Sequence, residues 1–240
     1  MGFYDYGYPR YVSAAEKKAK ADKAIAKLRK KDPSIDPVIL KGRTLAKSWW
    51  GKAWNINLES YADYRNRIAR GRTYVRSGSV LDLKIQKGNI KALVQGSGRS
   101  PYKVTIEIDT LKKENWDRMT ELCNHKIDSL EQLMEGKFPK ELEQLFLEKK
   151  YGLFPSPKEI HFDCSCPDGA YMCKHVAAVL YGMGARLDQN PMLFFELRAI
   201  DSTKLIKKSM ESKLNSMLKN AGKKSEREIQ EEDIFDIFGV

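Results

Sequence analysis

Hydrophobic and polar positions recur along this chain with two different periods, and the changes of period mark its elements. Ser13-Ala-Ala-Glu16 is a capping-box signature, and the Ala- and Lys-rich stretch it opens is predicted to be helical as far as Lys31, short of Pro33. The apolar stripe of that helix is thin, Ala21, Ala24, Ile25 and Leu28, and lysines cover the rest. Such a helix either lies on a phosphate backbone or stands as a solvated arm. Residues 32–41, with two prolines, read as a linker. A second helix is predicted from Thr44 to Leu58, where Trp50 and Trp54 are four apart and share a face. The tryptophans around it either anchor a core or offer a ring to a base. A short helix from Ser60 is expected to end near Gly71.

The period then falls to two. Val80, Leu81, Leu83 and Ile85 alternate imperfectly, Lys87-Gly-Asn89 supplies a turn, Ile90, Ala92 and Val94 alternate cleanly, and Val104, Ile106 and Ile108 follow. These runs predict an antiparallel sheet of three or four strands. Helical spacing returns from Glu114 to Met134, through Trp116, Met119, Leu122, Cys123, Ile127, Leu130 and Leu133. Further helices are predicted over Pro139–Lys150 and from Asp201 or Ser202 to Asn220, with an apolar segment at Pro191–Leu197 between them. The fold class is α+β: helices and a small antiparallel sheet in the N-terminal half, then a helical region and a ββα-like finger. Four parts are expected: a basic arm (1–40), a basic α+β domain (41–152), the finger (153–200), and a terminal helix with an acidic tail (201–240).

Charge divides the chain unevenly. Residues 1–103 hold 23 Lys and Arg against 8 Asp and Glu, net +15, whereas residues 104–240 are net −4. A cationic half of this kind suits the phosphates of nucleic acid, or serves only solubility. Arg65, Arg67, Arg70, Arg72 and Arg76 crowd around Gly71, and guanidinium forks match phosphate and guanine; the competing reading is a scaffold for acidic residues brought in by the fold. Arg99, in the loop Gly96-Ser-Gly-Arg-Ser-Pro101, and Lys103 beside it complete the candidate nucleic-acid contacts, since backbone amides of a small-residue loop approach a phosphate closely. That loop is not a Walker loop, because no Gly-Lys-Ser/Thr follows it. The aromatics between Phe3 and Tyr11 either pack on the body or stack on bases.

The densest chemistry lies in a window of twelve residues. Cys164-Ser-Cys166, six residues, then Cys173-Lys-His175 bring together three of four cysteines and one of three histidines. Three thiolates and an imidazole form the closed tetrahedral sphere of a structural Zn2+. Residues two apart on a strand share a face, so Cys164 and Cys166 reach one ion from the end of a strand over 159–163, while Cys173 and His175 sit on the first turn of an apolar helix. In the same strand His161 faces away from Cys164, outside the ligand set. The chain shows no signal peptide, so a reducing, cytoplasmic setting and free thiols are expected rather than disulfides. Cys123-Asn-His125 repeats the Cys-x-His spacing but has no further cysteines to complete a second site.

The pattern Cys-x-Cys-x6-Cys-x-His, carried by Cys164, Cys166, Cys173 and His175, resembles the SWIM zinc finger. Ser48–Trp54, Arg70–Arg76 and Val94–Tyr102 look like the region before the finger in bacterial SWIM proteins, so the resemblance spans roughly residues 40–200. That resemblance implies zinc as cofactor, binding to nucleic acid or protein rather than a reaction, and a helicase-like ATPase of the Swi/Snf superfamily as a partner. Glu231–Val240 ends the chain with Ile234, Phe235, Ile237 and Phe238 in an acidic setting, either a docking peptide for another protein or a segment that folds back. No nucleophile with a base, carboxylate pair or open metal position is visible, and no apolar run approaches the ~20 residues of a membrane span. The expected function is therefore that of a non-enzymatic nucleic-acid-binding accessory protein, with DNA ahead of RNA, no membrane and no small-molecule substrate. The alternative is an adaptor that recruits an ATPase through the finger and tail.

Overall fold

The computed structural model describes residues 12–40, 42, 44–60, 65–123, 126–127 and 129–220. The elements in chain order are α1 (Ala14–Arg29), α2 (Trp49–Glu59), α3 (Arg65–Arg76), β1 (Val80–Gln86), β2 (Asn89–Val94), β3 (Tyr102–Ile108), α4 (Lys113–Leu122), α5 (Leu130–Glu135), α6 (Lys140–Leu147), β4 (Ile160–Cys164), α7 (Lys174–Leu187), α8 (Met192–Leu197) and α9 (Thr203–Asn220). This is the expected α+β class. The four strands form one antiparallel sheet in the order β1-β2-β3-β4. The finger therefore contributes a single strand, and its partner is β3 rather than a second strand of its own. An expected division at residue 152 falls inside this one hydrogen-bonded sheet.

Period-two patterning places Ile90, Ala92 and Val94 of β2 and Val104, Ile106 and Ile108 of β3 on the buried face, with Lys91, Lys103 and Glu107 outside. Against that face lies α7, which touches all four strands and also packs on α2 and α3. Twelve of its 14 residues are buried, so it is the central rod of the molecule, apolar all round as a fully enclosed helix must be. Close crossings need small residues. A Cβ on Gly71 would lie 2.5 Å from Ala177 Cβ, so Gly71 does not end its helix, as its identity suggests, but lets α3 run on to Arg76 against α7. The same core continues into an aromatic cluster that joins Trp49 and Trp50 to Phe138, Phe146, Phe154, Phe194 and Phe195 in edge-to-face, stacked and tilted contacts. Trp50 and Trp54 are buried and donate their indole N–H groups to the carbonyls of Leu133 and Leu180, which settles their role as core anchors.

Three local expectations change. The helix expected over 114–134 is broken into α4 and α5: the chain turns after Cys123, and Ser129 caps a new helix by accepting from the Gln132 amide. The helix expected from Thr44 begins only at Trp49, where Ser48 caps it and Asp188 accepts from the Lys47 and Ser48 amides. The expected linker at 32–41 is docked through residues 35–38. Ile35, Pro37 and Val38 are buried, and the segment pairs along β1 through Val38 N–H to Val80 O and Leu83 N–H to Asp36 O. Asp82, buried at a bulge in β1, secures it by accepting from the Asp36 amide at 2.8 Å. An exposed strand edge is thereby covered.

Candidate metal centre

β4 and α7 build the site. Cys164 is the last residue of β4, Cys166 follows in the turn, Cys173 is the N-cap of α7, and His175 lies on its first turn. Ser165, between the first two cysteines, extends the ladder: its amide donates to Lys103 O at 3.0 Å and its hydroxyl accepts from the Lys103 amide at 2.9 Å. That pairing holds the Cys-Ser-Cys turn against β3. Asp168, in the loop back to α7, accepts from Arg67 of α3 at 2.8 Å and fixes the far side of the finger.

The four ligand atoms lie within 4.8 Å of one another. Cys164 Sγ is 4.0 Å and Cys173 Sγ 3.7 Å from His175 Nδ1. A tetrahedral ion with Zn–S near 2.3 Å and Zn–N near 2.0 Å requires edges of about 3.5–3.8 Å, so the residues fit Zn2+ with Nδ1 as the histidine donor. The chemistry of the thiols agrees. The Cys173 thiol is held well below its ordinary range by its contact with Cys164, aided by the His175 ring and the first amides of α7, while that same contact and burial push Cys164 up. Binding of a metal ion would take both sulfurs as thiolates and displace their protons. Four protein donors would saturate a tetrahedral ion, which would then serve as a clip between sheet and helix.

His175 is 1% exposed, and its Nε2 has no hydrogen-bond partner among the described residues. Tyr102 and Tyr74 flank the ring at centroid distances of 4.7 and 5.3 Å. Gly96 closes the remaining side, where an added Cβ would stand 3.0 Å from Nε2 and would also collide with the Tyr102 ring. Aromatic walls and a glycine thus fix the imidazole with Nδ1 turned to the thiols. Sequence spacing identifies the four ligands and misses this enclosure, because Gly96, Tyr102 and Tyr74 are distant along the chain.

The other candidate residues divide. His161 is exposed, its Nε2 3.4 Å from Asp109 Oδ1, outside the ligand cluster. Cys123 is completely buried, and burial pushes its thiol up to about 12, the state of a core residue; His125 lies outside the described residues. Arg67 pairs with Asp168. Arg72 pairs with Glu59 at 2.7 Å and donates from Nε to Tyr181 Oη at 2.8 Å, while Tyr181 donates to Glu59 at 2.6 Å. These two arginines answer to acidic residues supplied by the fold. Arg70, Arg76, Arg99 and Lys103 are exposed; the side chain of Arg65 and the tail residues Ile234, Phe235, Ile237 and Phe238 lie outside the described residues. The Gly96–Pro101 loop turns three carbonyls inward rather than serving only through its amides: Lys20 Nζ donates to Gly96 O, Ser97 O and Gly98 O at 3.0–3.1 Å.

A strand-to-helix Cys3His knuckle with this spacing is a SWIM zinc finger, and the family model of that name matches residues 161–181. The chain is also 33% identical over 163 residues to the uncharacterized protein Rv2102 of Mycobacterium tuberculosis, an alignment that covers 68% of this chain and 58% of the relative's length. No solved structure matches the chain. No described helix is long and apolar enough to cross a membrane.

Proposed function

We propose that this protein is a non-enzymatic, zinc-ordered accessory protein that binds nucleic acid, DNA ahead of RNA, through the cationic surface of its N-terminal half. The observation that carries this reading is the unbalanced charge of that half, net +15 over residues 1–103, with Lys23, Lys27, Lys31, Arg70, Arg76, Arg99 and Lys103 exposed. Zinc would hold β4 to α7 and so hold the sheet, α3 and the β2–β3 loop in one arrangement, while phosphates meet the cations. The cytoplasm is the compartment this reading assumes, since free thiols favour a reducing environment. Fluorescent single- and double-stranded DNA and RNA, titrated at two salt concentrations, test it. Binding that weakens steeply with salt is the expected result, and absence of binding at low salt rejects it.

A second reading has its own observation. On α9, Met210, Leu214, Met217 and Leu218 are 58–64% exposed, an apolar stripe with helical spacing on the described part of the C-terminal region. That stripe favours an adaptor role, with a Swi/Snf-type ATPase as the candidate partner. Truncation after residue 202 separates the two readings, because it is expected to abolish protein docking and leave nucleic-acid affinity unchanged.

A further inference from the structure

Between α1 and the β2–β3 loop runs a cleft of about 350 Å3, whose lining among the described residues includes Lys20, Lys23, Lys27, Lys31 and Arg99 and no carboxylate. Its floor is made by Ala24, Leu28 and Pro101. Lys20 is spent on structure: its ammonium has three N–H donors, and the three loop carbonyls take them. The loop is braced again by Gln95, whose side-chain amide donates to Gly96 O and Gly98 O at 3.0 Å. Both walls are therefore fixed before any ligand arrives, one by this latch and the other by the capped helix α1. The remaining cations are not spent. Lys23, Lys27, Lys31 and Arg99 make no ion pair among the described residues, although Asp22 is adjacent in sequence. Lys23 and Lys27 lie one turn apart on α1, and Lys31 follows in the turn just past its C-cap Lys30, so the three cations line one wall over about 12 Å at about 1.5 Å per residue. That matches about three to four phosphate steps of a strand at a rise of about 3.4 Å each.

We infer that this cleft receives the sugar-phosphate backbone of one nucleic-acid strand, with Lys23, Lys27 and Lys31 along one wall, Arg99 on the other, and Lys20 as the latch that shapes it. This rests on the nucleic-acid reading above and adds to it the place and the mode of contact. Among the described residues no aromatic ring lines the cleft, so the contact reads phosphates and not bases, and sequence preference is expected to be weak. The loop wall also lies against the metal centre through Gly96 and His175. Zinc occupancy and the shape of the cleft are therefore linked through residues 95–98.

The test compares two triple variants that lose the same charge. Lys23→Gln, Lys27→Gln and Lys31→Gln empty the cleft, while Lys18→Gln, Lys52→Gln and Lys91→Gln remove exposed lysines elsewhere. Circular dichroism and zinc content confirm that both variants are folded, and affinity for a labelled oligo-dT and a short duplex is measured across salt. The expected result is that the cleft variant loses at least tenfold in affinity at low salt. The slope of log K against log salt should also become shallower by about 2 to 3, at about 0.7–0.9 per lost phosphate contact, whereas the control variant changes it by less than about 1. Equal losses in the two variants would overturn the cleft while leaving the nucleic-acid reading intact. A wild-type protein that binds neither oligonucleotide overturns both. Inorganic polyphosphate that binds as tightly as DNA, with the same lysine dependence, would replace the strand by a polyphosphate chain.

Discussion

Arg67 of α3 donates to Asp168 of the finger at 2.8 Å, across 101 positions of sequence, so an arginine from the basic cluster is a strut of the metal centre. The pair is partly exposed, with side chains 32% and 21% accessible, and a pair of this kind contributes about 1 kcal/mol at most. Arg67→Ala is expected to lower the melting temperature slightly and to leave nucleic-acid affinity within about twofold, whereas Arg70→Ala lowers affinity without moving the melting curve. Calorimetry and a binding titration on the two variants check this. The reverse pattern would make Arg67 a phosphate contact.

Metal content separates the four cysteines. Cys173→Ser and His175→Ala are each expected to abolish stoichiometric zinc binding and to melt well below the parent, because a structural zinc adds on the order of 10 kcal/mol of binding energy to the folded state. Cys123→Ala is expected to keep full zinc and lose only about 1–2 kcal/mol of packing, since this buried thiol is not part of the cluster. Elemental analysis and thermal melts on the three variants read this directly, and zinc lost on changing Cys123 would contradict the assignment.

Gly71 provides a test of sign. In an exposed helix Gly→Ala stabilises by about 1 kcal/mol, but here the new methyl group would lie 2.5 Å from Ala177 Cβ in the α3–α7 crossing. Gly71→Ala is expected to destabilise by about 1–3 kcal/mol through overpacking. A stabilised variant, measured by urea denaturation, would show that the two helices are not held this close.

Acid stability is expected to depend on Glu159. Burial works to raise its pKa, but the Ser156 amide, the Arg198 guanidinium and the Ser156 hydroxyl outweigh it and leave the carboxyl below its ordinary value. Arg198 is 1% exposed and donates to Glu159 at 2.8 Å and to Asp109 O at 2.6 Å. Because the folded pKa is depressed, this stabilisation is fully present above the ordinary value of about 4.3 and is lost as pH falls through the lower, folded value. Glu159→Gln is expected to cost about 2 kcal/mol at neutral pH and to flatten the acid limb of the stability profile. An acid limb identical to that of the parent would assign that titration elsewhere.

Local chemistry was legible from residue order. The four metal ligands, the capping box at Ser13 and Glu16, and the alternation of β2 and β3 are each set by residues a few positions apart, where spacing alone determines which side chains share a face. The same reasoning placed His161 on the far side of its strand and kept Cys123 out of the metal set, and both positions agree with the structure.

What tertiary structure decided is every relation between distant segments. Period-two patterning shows that Ile160–Cys164 is a strand, but its partner depends on which edge is open, and that edge is β3. Charge counts show five arginines around Gly71, but only the approach of Glu59 and Asp168 reveals that Arg72 and Arg67 are already paired. A glycine reads as a helix end until α7 comes close enough to need it, and nothing in the spacing of the Gly-Ser loop reveals that Lys20 takes three of its carbonyls. Sequence by itself determined which three cysteines and one histidine gather at one place, and the sign of the charge in the N-terminal half, because composition and short spacing carry both. Packing determined which cations are struts and which one is a latch, because a charge is neutralised by its neighbours in space, not by those along the chain.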